Sequence, residues 1–256
     1  MKRSQLLDYL ADQIIQIKRP HPIRVALDGP DAAGKTTLAE ELVALLQDRG
    51  RVVIRASIDG FHNPARIRHA RGLTSPEGYY HDSFDYPKLV ESLLAPLGPE
   101  GSRRYSAAVF DYRTNSAVPV ETHLAEGNAI LLFDGVFLLR PELAASWDFT
   151  VFVDASFEIT LARAQERDAA YLGSREEVRK RYEQRYIPGQ KLYFAECRPK
   201  ERAQVVIDNN DPSNPVISDS GASFAESRST FVGRLCQTPD LTSPPSDTDG
   251  LQCLDS

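Results

Sequence analysis

The eight residues GPDAAGKT at positions 29–36 restrict this chain more than any other feature. They satisfy G-x-x-x-x-G-K-[ST] in full, and their surroundings fit the motif. IRVALDG (23–29) is a short apolar, β-branched run ending in glycine, and TLAEELVALLQDRG (37–50) is an amphipathic helical pattern closed by glycine. In the order strand, glycine loop, helix, Gly29 and Gly34 let the backbone wrap so that successive N–H groups face phosphate oxygens. The following helix adds the positive end of its dipole. Lys35 is expected to face solvent and reach the β- and γ-phosphates as a point charge, while the Thr36 hydroxyl is placed to ligate Mg²⁺. Pro30, Asp31, Ala32, Ala33 and Thr37 complete the expected nucleotide-binding set. No G-x-G-x-x-G is present, so a dinucleotide fold carries little weight.

Four further apolar runs read as strands: RVVIRAS (51–57), AILLFD (129–134), DFTVFVD (148–154) and AQVVID (203–208). Continuous apolar strands separated by helical stretches imply a parallel sheet buried on both faces. The expected fold is therefore α/β, a doubly wound, mostly parallel sheet of the P-loop NTPase type. Helical patterns occupy residues 6–17, 86–97, 156–170, 176–186 and 188–197, and RRYSAAVFDYR (103–113) reads as a hairpin or strand excursion. Asp59 to Asp85 is rich in Gly, Pro, Arg, His and Tyr with little periodicity, as a ligand-binding loop would be. Beyond Asp211 the composition shifts to Ser, Thr, Asp, Pro and Gly. The reading is one domain over 1–211 and a disordered tail over 212–256.

Composition excludes several classes. Three cysteines without CxxC spacing suggest neither a zinc site nor a secreted disulfide framework, and reduced cytoplasmic thiols are expected. A net charge of -6 argues against a broad nucleic-acid surface. No stretch approaches the ~18 apolar residues of a membrane span, so neither nucleic acid nor membrane is expected as a partner. No NKxD-like guanine signature follows the P-loop. ATP against GTP preference and homo-oligomerisation stay open.

Beyond the P-loop, SIDGFH (57–62), SPEGYYHDSFDY (75–86), AVFDYR (108–113), LLFDGVFLL (131–139), LARAQERD (161–168) and VVIDNNDP (205–212) occur in an order that resembles the uridine kinase and phosphoribulokinase family. The resemblance spans roughly 22–211. It implies ATP:hydroxyl phosphotransfer with Mg²⁺, a mobile helical lid, and a small-molecule hydroxyl compound as acceptor. By that resemblance Asp59 is the base beside the acceptor hydroxyl, a role that a strand-terminal carboxylate can fill chemically. Asp134, after ILLF, resembles a Walker-B acid in the place where uridine kinases carry glutamate, and would hold magnesium with Thr36. Arg163 and Arg167 share a helix face, and the resemblance makes them the lid arginines that clamp the triphosphate. YLGSREEV (171–178) is then the lid tip, with Arg175 as a further phosphate candidate.

The acceptor side departs from the family pattern. Phe110 and Asn115 stand where a tyrosine and a histidine read the pyrimidine in uridine–cytidine kinases. Tyr79 stands where an aspartate binds the ribose, with Asp82 or Asp85 as substitutes. His62, Tyr80, His81, Arg66, Arg68 and Arg71 are further acceptor candidates, the arginines being suited to an anionic acceptor. Uridine is the leading acceptor. Pantothenate, nicotinamide riboside, a sugar or a sugar phosphate are the alternatives, and a non-catalytic nucleotide-binding regulator is the competing class.

Overall fold

The computed structural model describes residues 1–119 and 121–218. Its centre is a six-stranded sheet built from β1 (Ile23–Asp28), β2 (Val53–Ser57), β3 (Ile130–Asp134), β4 (Phe149–Asp154), β5 (Val205–Asp208) and β6 (Val216–Ser218). The spatial order is β6-β5-β4-β1-β3-β2, all parallel except β6, which runs antiparallel to β5. β1 and β3 are buried along their whole length, as the unbroken apolar runs require of strands covered on both faces.

Two apolar layers sandwich the sheet. One joins Leu27, Ile130 and Val151 to α1 (Arg3–Gln16) and α2 (Lys35–Asp48), through Leu6, Leu10 and Ile14 of α1 and Leu38 and Leu42 of α2. The other joins Phe133, Phe137, Trp147 and Phe152 to α3 (Pro76–Asp82) and, at the far end of the helical set, to Tyr193 and Cys197. The helix expected at the N-terminus therefore does pack on the domain, with the 3.6-residue spacing of its leucines as the reason.

Along the second half of the chain, α4 (Phe157–Leu172) turns at Gly173 into α5 (Arg175–Arg181). That helix runs through a widened turn, Tyr182–Tyr186, into α6 (Ile187–Cys197). The widening has a local cause. Pro188 lacks an N–H to close the regular ladder, and Ile187 N–H instead reaches back five residues to Tyr182 O.

The hairpin expected over 103–113 is two separate short pairings, Arg104–Tyr105 with His123–Leu124 and Phe110–Asp111 with Ser116–Ala117. The boundary placed at Asp211 also moves. Ser213 N–H and Asn214 Nδ2 cap the Asp211 carboxylate, and the chain then returns as β6 on the sheet edge. Residues 212–218 thus belong to the domain, while 219–256 of the expected tail lie outside the described residues. Among the described residues no helix is long and apolar enough to cross a membrane.

Candidate active site

In an open parallel sheet, loops at the carboxyl ends of the strands meet at the switch point where connections leave in opposite directions. Here β1 lies between β3 and β4, and the loops after β1, β2, β3 and β5 line one cavity of about 1050 Å³. Asp31, Ala32, Gly34, Lys35, Thr36, Thr37, Asp59, Asp134, Arg163 and Arg167 all line it. Of the expected nucleotide-binding set, Gly29, Pro30 and Ala33 shape the loop from behind.

The loop's position is fixed by close approach. Gly29 has φ +147°, and a Cβ there would lie 2.1 Å from Val153 O of β4, so only glycine fits. Gly34 has φ +99° and caps α2, while Asn209 Nδ2 beside it donates to Ala33 O at 2.7 Å. Below the loop, the wholly buried Asp28 accepts from Gly29 N–H, Leu139 N–H and the Tyr193 hydroxyl of α6. Burial outweighs these donors and pushes the Asp28 carboxyl up to about 6.

Lys35 is not solvent-facing. Its ammonium donates to Gly29 O at 2.9 Å and Pro30 O at 2.6 Å, and the residue is 7% exposed. The loop curls its carbonyls over the amine, and burial draws the lysine below its usual range, against the pull of Asp31, Asp134 and Asp28.

Thr36 Oγ1 donates to Asp134 Oδ2 at 2.6 Å, so the hydroxyl and the acid at the end of β3 face each other across the start of α2. The acid's other oxygen meets Arg55 of β2 at 2.6 Å. A hydroxyl and a carboxylate are the hard oxygen donors that Mg²⁺ takes, with phosphates and water completing its shell, so these residues fit the expected ion. Among the described residues no cluster of three or more His, Cys, Asp or Glu side chains could hold a metal by itself.

Asp59 stands just past β2 with its side chain 61% exposed in the cavity. The surrounding walls strip enough water from it, with the charges of Asp31 and Asp134 adding, to push its carboxyl up to about 6. Beyond it, the His62 ring lies between Phe84 and Tyr112, at centroid distances of 4.6 and 4.7 Å. Burial holds His62 down at about 4, so it is neutral near pH 7. Tyr79, Tyr182 and Tyr186 also line the cavity, the last two presented by the widened turn before α6.

Arg163 Nη2 donates to Asn209 O and Asn210 O, while Arg167 makes a two-pronged pair with Asp168 and also reaches the Tyr182 hydroxyl. Both arginines line the cavity, but Arg175 pairs with Glu166 and does not. The loop candidates divide similarly. His62 and Tyr79 face the cavity. Asp85 caps Lys88 N–H, Asp82 pairs with Arg71, and Asn115 Oδ1 accepts from Ala65 N–H. Tyr80 is packed in the core against Cys197, and Phe110, His81, Arg66 and Arg68 do not line the cavity. The sequence reading missed Phe84, Tyr112 and Arg55. Arg55 carried a signal: a charged residue within a strand that is otherwise apolar demands a buried partner.

Comparison with known proteins follows the same lines. A uridine-cytidine kinase B of Dictyostelium discoideum is 26% identical over 189 residues, covering 73% of this chain and 74% of that protein. A uridine kinase of Lactobacillus johnsonii is 29% identical over 210 residues, covering 80% and 93%. The solved structure of a possible uridine kinase from Bacillus stearothermophilus superposes with a TM-score of 0.64 at 23% identity, covering 80% of this chain and 98% of that one, a likeness of fold. The family description Phosphoribulokinase / Uridine kinase matches residues 24–212, from the second residue of β1 through the loop after β5, and the chain belongs to that family.

Proposed function

We propose that this chain is an ATP-dependent kinase that phosphorylates a hydroxyl of a small molecule, with uridine or a related nucleoside as acceptor. The observation that carries the reading is the grouping, in one cavity, of the P-loop, the Thr36–Asp134 pair and Asp59, with the tilted rings of Phe84, His62 and Tyr112 near Asp59. A planar base suits such rings.

On this reading the two substrates lie on opposite sides of the P-loop, which the strand order supports. The loop after β5, with Asn209 and Pro212 beside Arg163, flanks it on one side and suits the nucleotide base; Asp59 and the three tilted rings, after β2, flank it on the other. Backbone N–H groups of residue 32 and of residues 34–37 would face the phosphates, since those of Gly29, Asp31 and Ala33 already donate within the protein, and Lys35 exchanges the carbonyls of Gly29 and Pro30 for phosphate oxygens. Thr36 and Asp134 would hold Mg²⁺, which supplies charge neutralisation and a template for the phosphates. Asp59 orients the acceptor hydroxyl and takes its proton, a role open to it once ionised above about pH 6. Arg163 and Arg167, on the hairpin that would serve as lid, meet the charge on the transferring group.

The reading is tested by ADP release from purified protein with MgATP against nucleosides, pantothenate, nicotinamide riboside, sugars and sugar phosphates. Saturable turnover with uridine is expected. Turnover confined to the non-nucleosides overturns the acceptor assignment, and none with any acceptor returns the chain to a nucleotide-binding regulator.

A further inference from the structure

A phosphate cradle is a poor place for a carboxylate, because its N–H groups and lysine are arranged for phosphate and a second anion nearby repels it. Asp31 nonetheless sits within the loop, two residues after Gly29. The fold turns it aside. Its backbone N–H donates to Gln190 Oε1 at 3.0 Å, and its Oδ2 accepts from the Tyr79 hydroxyl at 2.5 Å and from Gln190 Nε2 at 3.1 Å.

Both holders are themselves held. Tyr79 is buried and packed edge-on against Phe137, with the Tyr186 ring on another side. Gln190 is 2% exposed, and its neighbour Gly189 packs so closely that a Cβ there would lie 2.8 Å from Tyr79 Cδ1. Two buried groups thus fix one oxygen of Asp31. The other, Oδ1, accepts from no protein donor among the described residues, while Asp31 lines the cavity. Asp31 lines the same cavity as Lys35 and Asp59, and of the charged neighbours it acts most strongly on both.

An open carboxylate oxygen on a rigid mount accepts a hydrogen bond well from a neutral O–H, and the nearby Asp59 and Asp134 disfavour an anionic ligand. We infer that Asp31 Oδ1 receives a second hydroxyl of the acceptor, so that the site selects a polyhydroxylated, uncharged acceptor over a mono-alcohol or a carboxylate. The inference rests on the kinase reading and deepens it, since a fixed carboxylate oxygen left unpaired by a deoxy analogue discriminates against that analogue.

The test compares wild type, Asp31→Asn, Asp31→Ala and Tyr79→Phe by ADP release with uridine, 2′-deoxyuridine, 3′-deoxyuridine, fructose and pantothenate. MgATP affinity is measured separately by calorimetry, which also reports that each variant is folded. In Asp31→Ala the acceptor KM is expected to rise about tenfold or more, and the preference for the polyol over a deoxy analogue to fall by a similar factor. MgATP affinity should stay level or tighten, as a negative charge leaves the cradle. Tyr79→Phe, which frees the carboxylate without removing it, should show a smaller shift in the same direction. An unchanged acceptor KM and preference, or a loss confined to MgATP binding, overturns the assignment, as does a wild type that prefers pantothenate. A wild type that releases ADP with no acceptor overturns the kinase reading itself, and the inference falls with it.

Discussion

Arg55 Nη2 lies 2.6 Å from Asp134 Oδ1, while Thr36 donates to Oδ2 of the same carboxylate. The acid expected to hold magnesium is therefore held from both sides, by a cation from the neighbouring strand and a hydroxyl from the P-loop. Arg55→Met removes the cation and leaves a buried carboxylate with one partner. Because Arg55 is 27% exposed, the loss is expected at about 1–3 kcal/mol rather than that of a fully buried pair. Magnesium with ADP should then raise the thermal midpoint of the variant more than that of wild type. Equal shifts would make Arg55 a bystander to the metal site.

Lys35→Ala should reduce turnover by at least about 100-fold, the scale seen when a donor to developing charge is removed. The ammonium is tied to Gly29 O and Pro30 O, so the loop loses an internal brace as well as its charge. Circular dichroism should show the fold retained, with a modestly lower midpoint. Wild-type turnover would remove the lysine from the chemistry.

Asp59→Asn keeps shape while deleting the proposed base, and kcat should fall about 10²–10⁴-fold with MgATP affinity nearly unchanged. In wild type, kcat/KM should rise with pH through a midpoint near 6, where the Asp59 carboxyl ionises, and the Asn variant should lack that rise. A sharp drop in MgATP affinity would instead mark Asp59 as a metal ligand.

Asp28 makes a separate prediction about stability. Its folded carboxyl at about 6 lies above the ordinary 3.8, so between those values the folded chain binds a proton that the unfolded chain releases. Stability from this group is therefore greatest at low pH and is lost as pH rises from about 4 to 6, by up to ~3 kcal/mol. Denaturant titrations across pH 4–7 should show that slope in wild type and a flatter one in Asp28→Asn. Asp59 titrates in the same window in both proteins, so the difference isolates Asp28.

Truncation after Asp211 should lower the thermal midpoint relative to truncation after Ser218. The shorter chain loses β6, which pairs with β5, and the hydrogen bond from the N-terminal amine to Pro215 O. Coincident midpoints would show that the edge strand contributes nothing.

Much of this architecture could be read along the chain because its determinants are local. The apolar runs of β1 to β5 are contiguous, and the P-loop declares itself by glycine spacing and by its place between strand and helix. β6 escaped because three residues, Val216–Ser218, carry no period, and an edge strand needs only a neighbour's free backbone. The burial of Lys35 is not legible in the sequence because it comes from carbonyls that curl over the amine, a matter of loop path rather than residue type. The acceptor side was least legible. Asp31, Tyr79 and Gln190 are brought together only by packing, and Arg66, Arg68 and Arg71 looked functional by composition although none of them lines the cavity.

Gln190 and Tyr193 lie three residues apart on α6, and they hold the P-loop at two heights, Asp31 at the rim and Asp28 at the floor. A stiff rod fastened at two points cannot tilt without pulling on one of them. The same rod continues backwards through the widened turn into α5 and the arginine-bearing hairpin. The loop and the arginine-bearing hairpin are thus joined by one helical path through Tyr186, with no loose connection between the phosphate-binding backbone and the helix that leads back to Arg163 and Arg167.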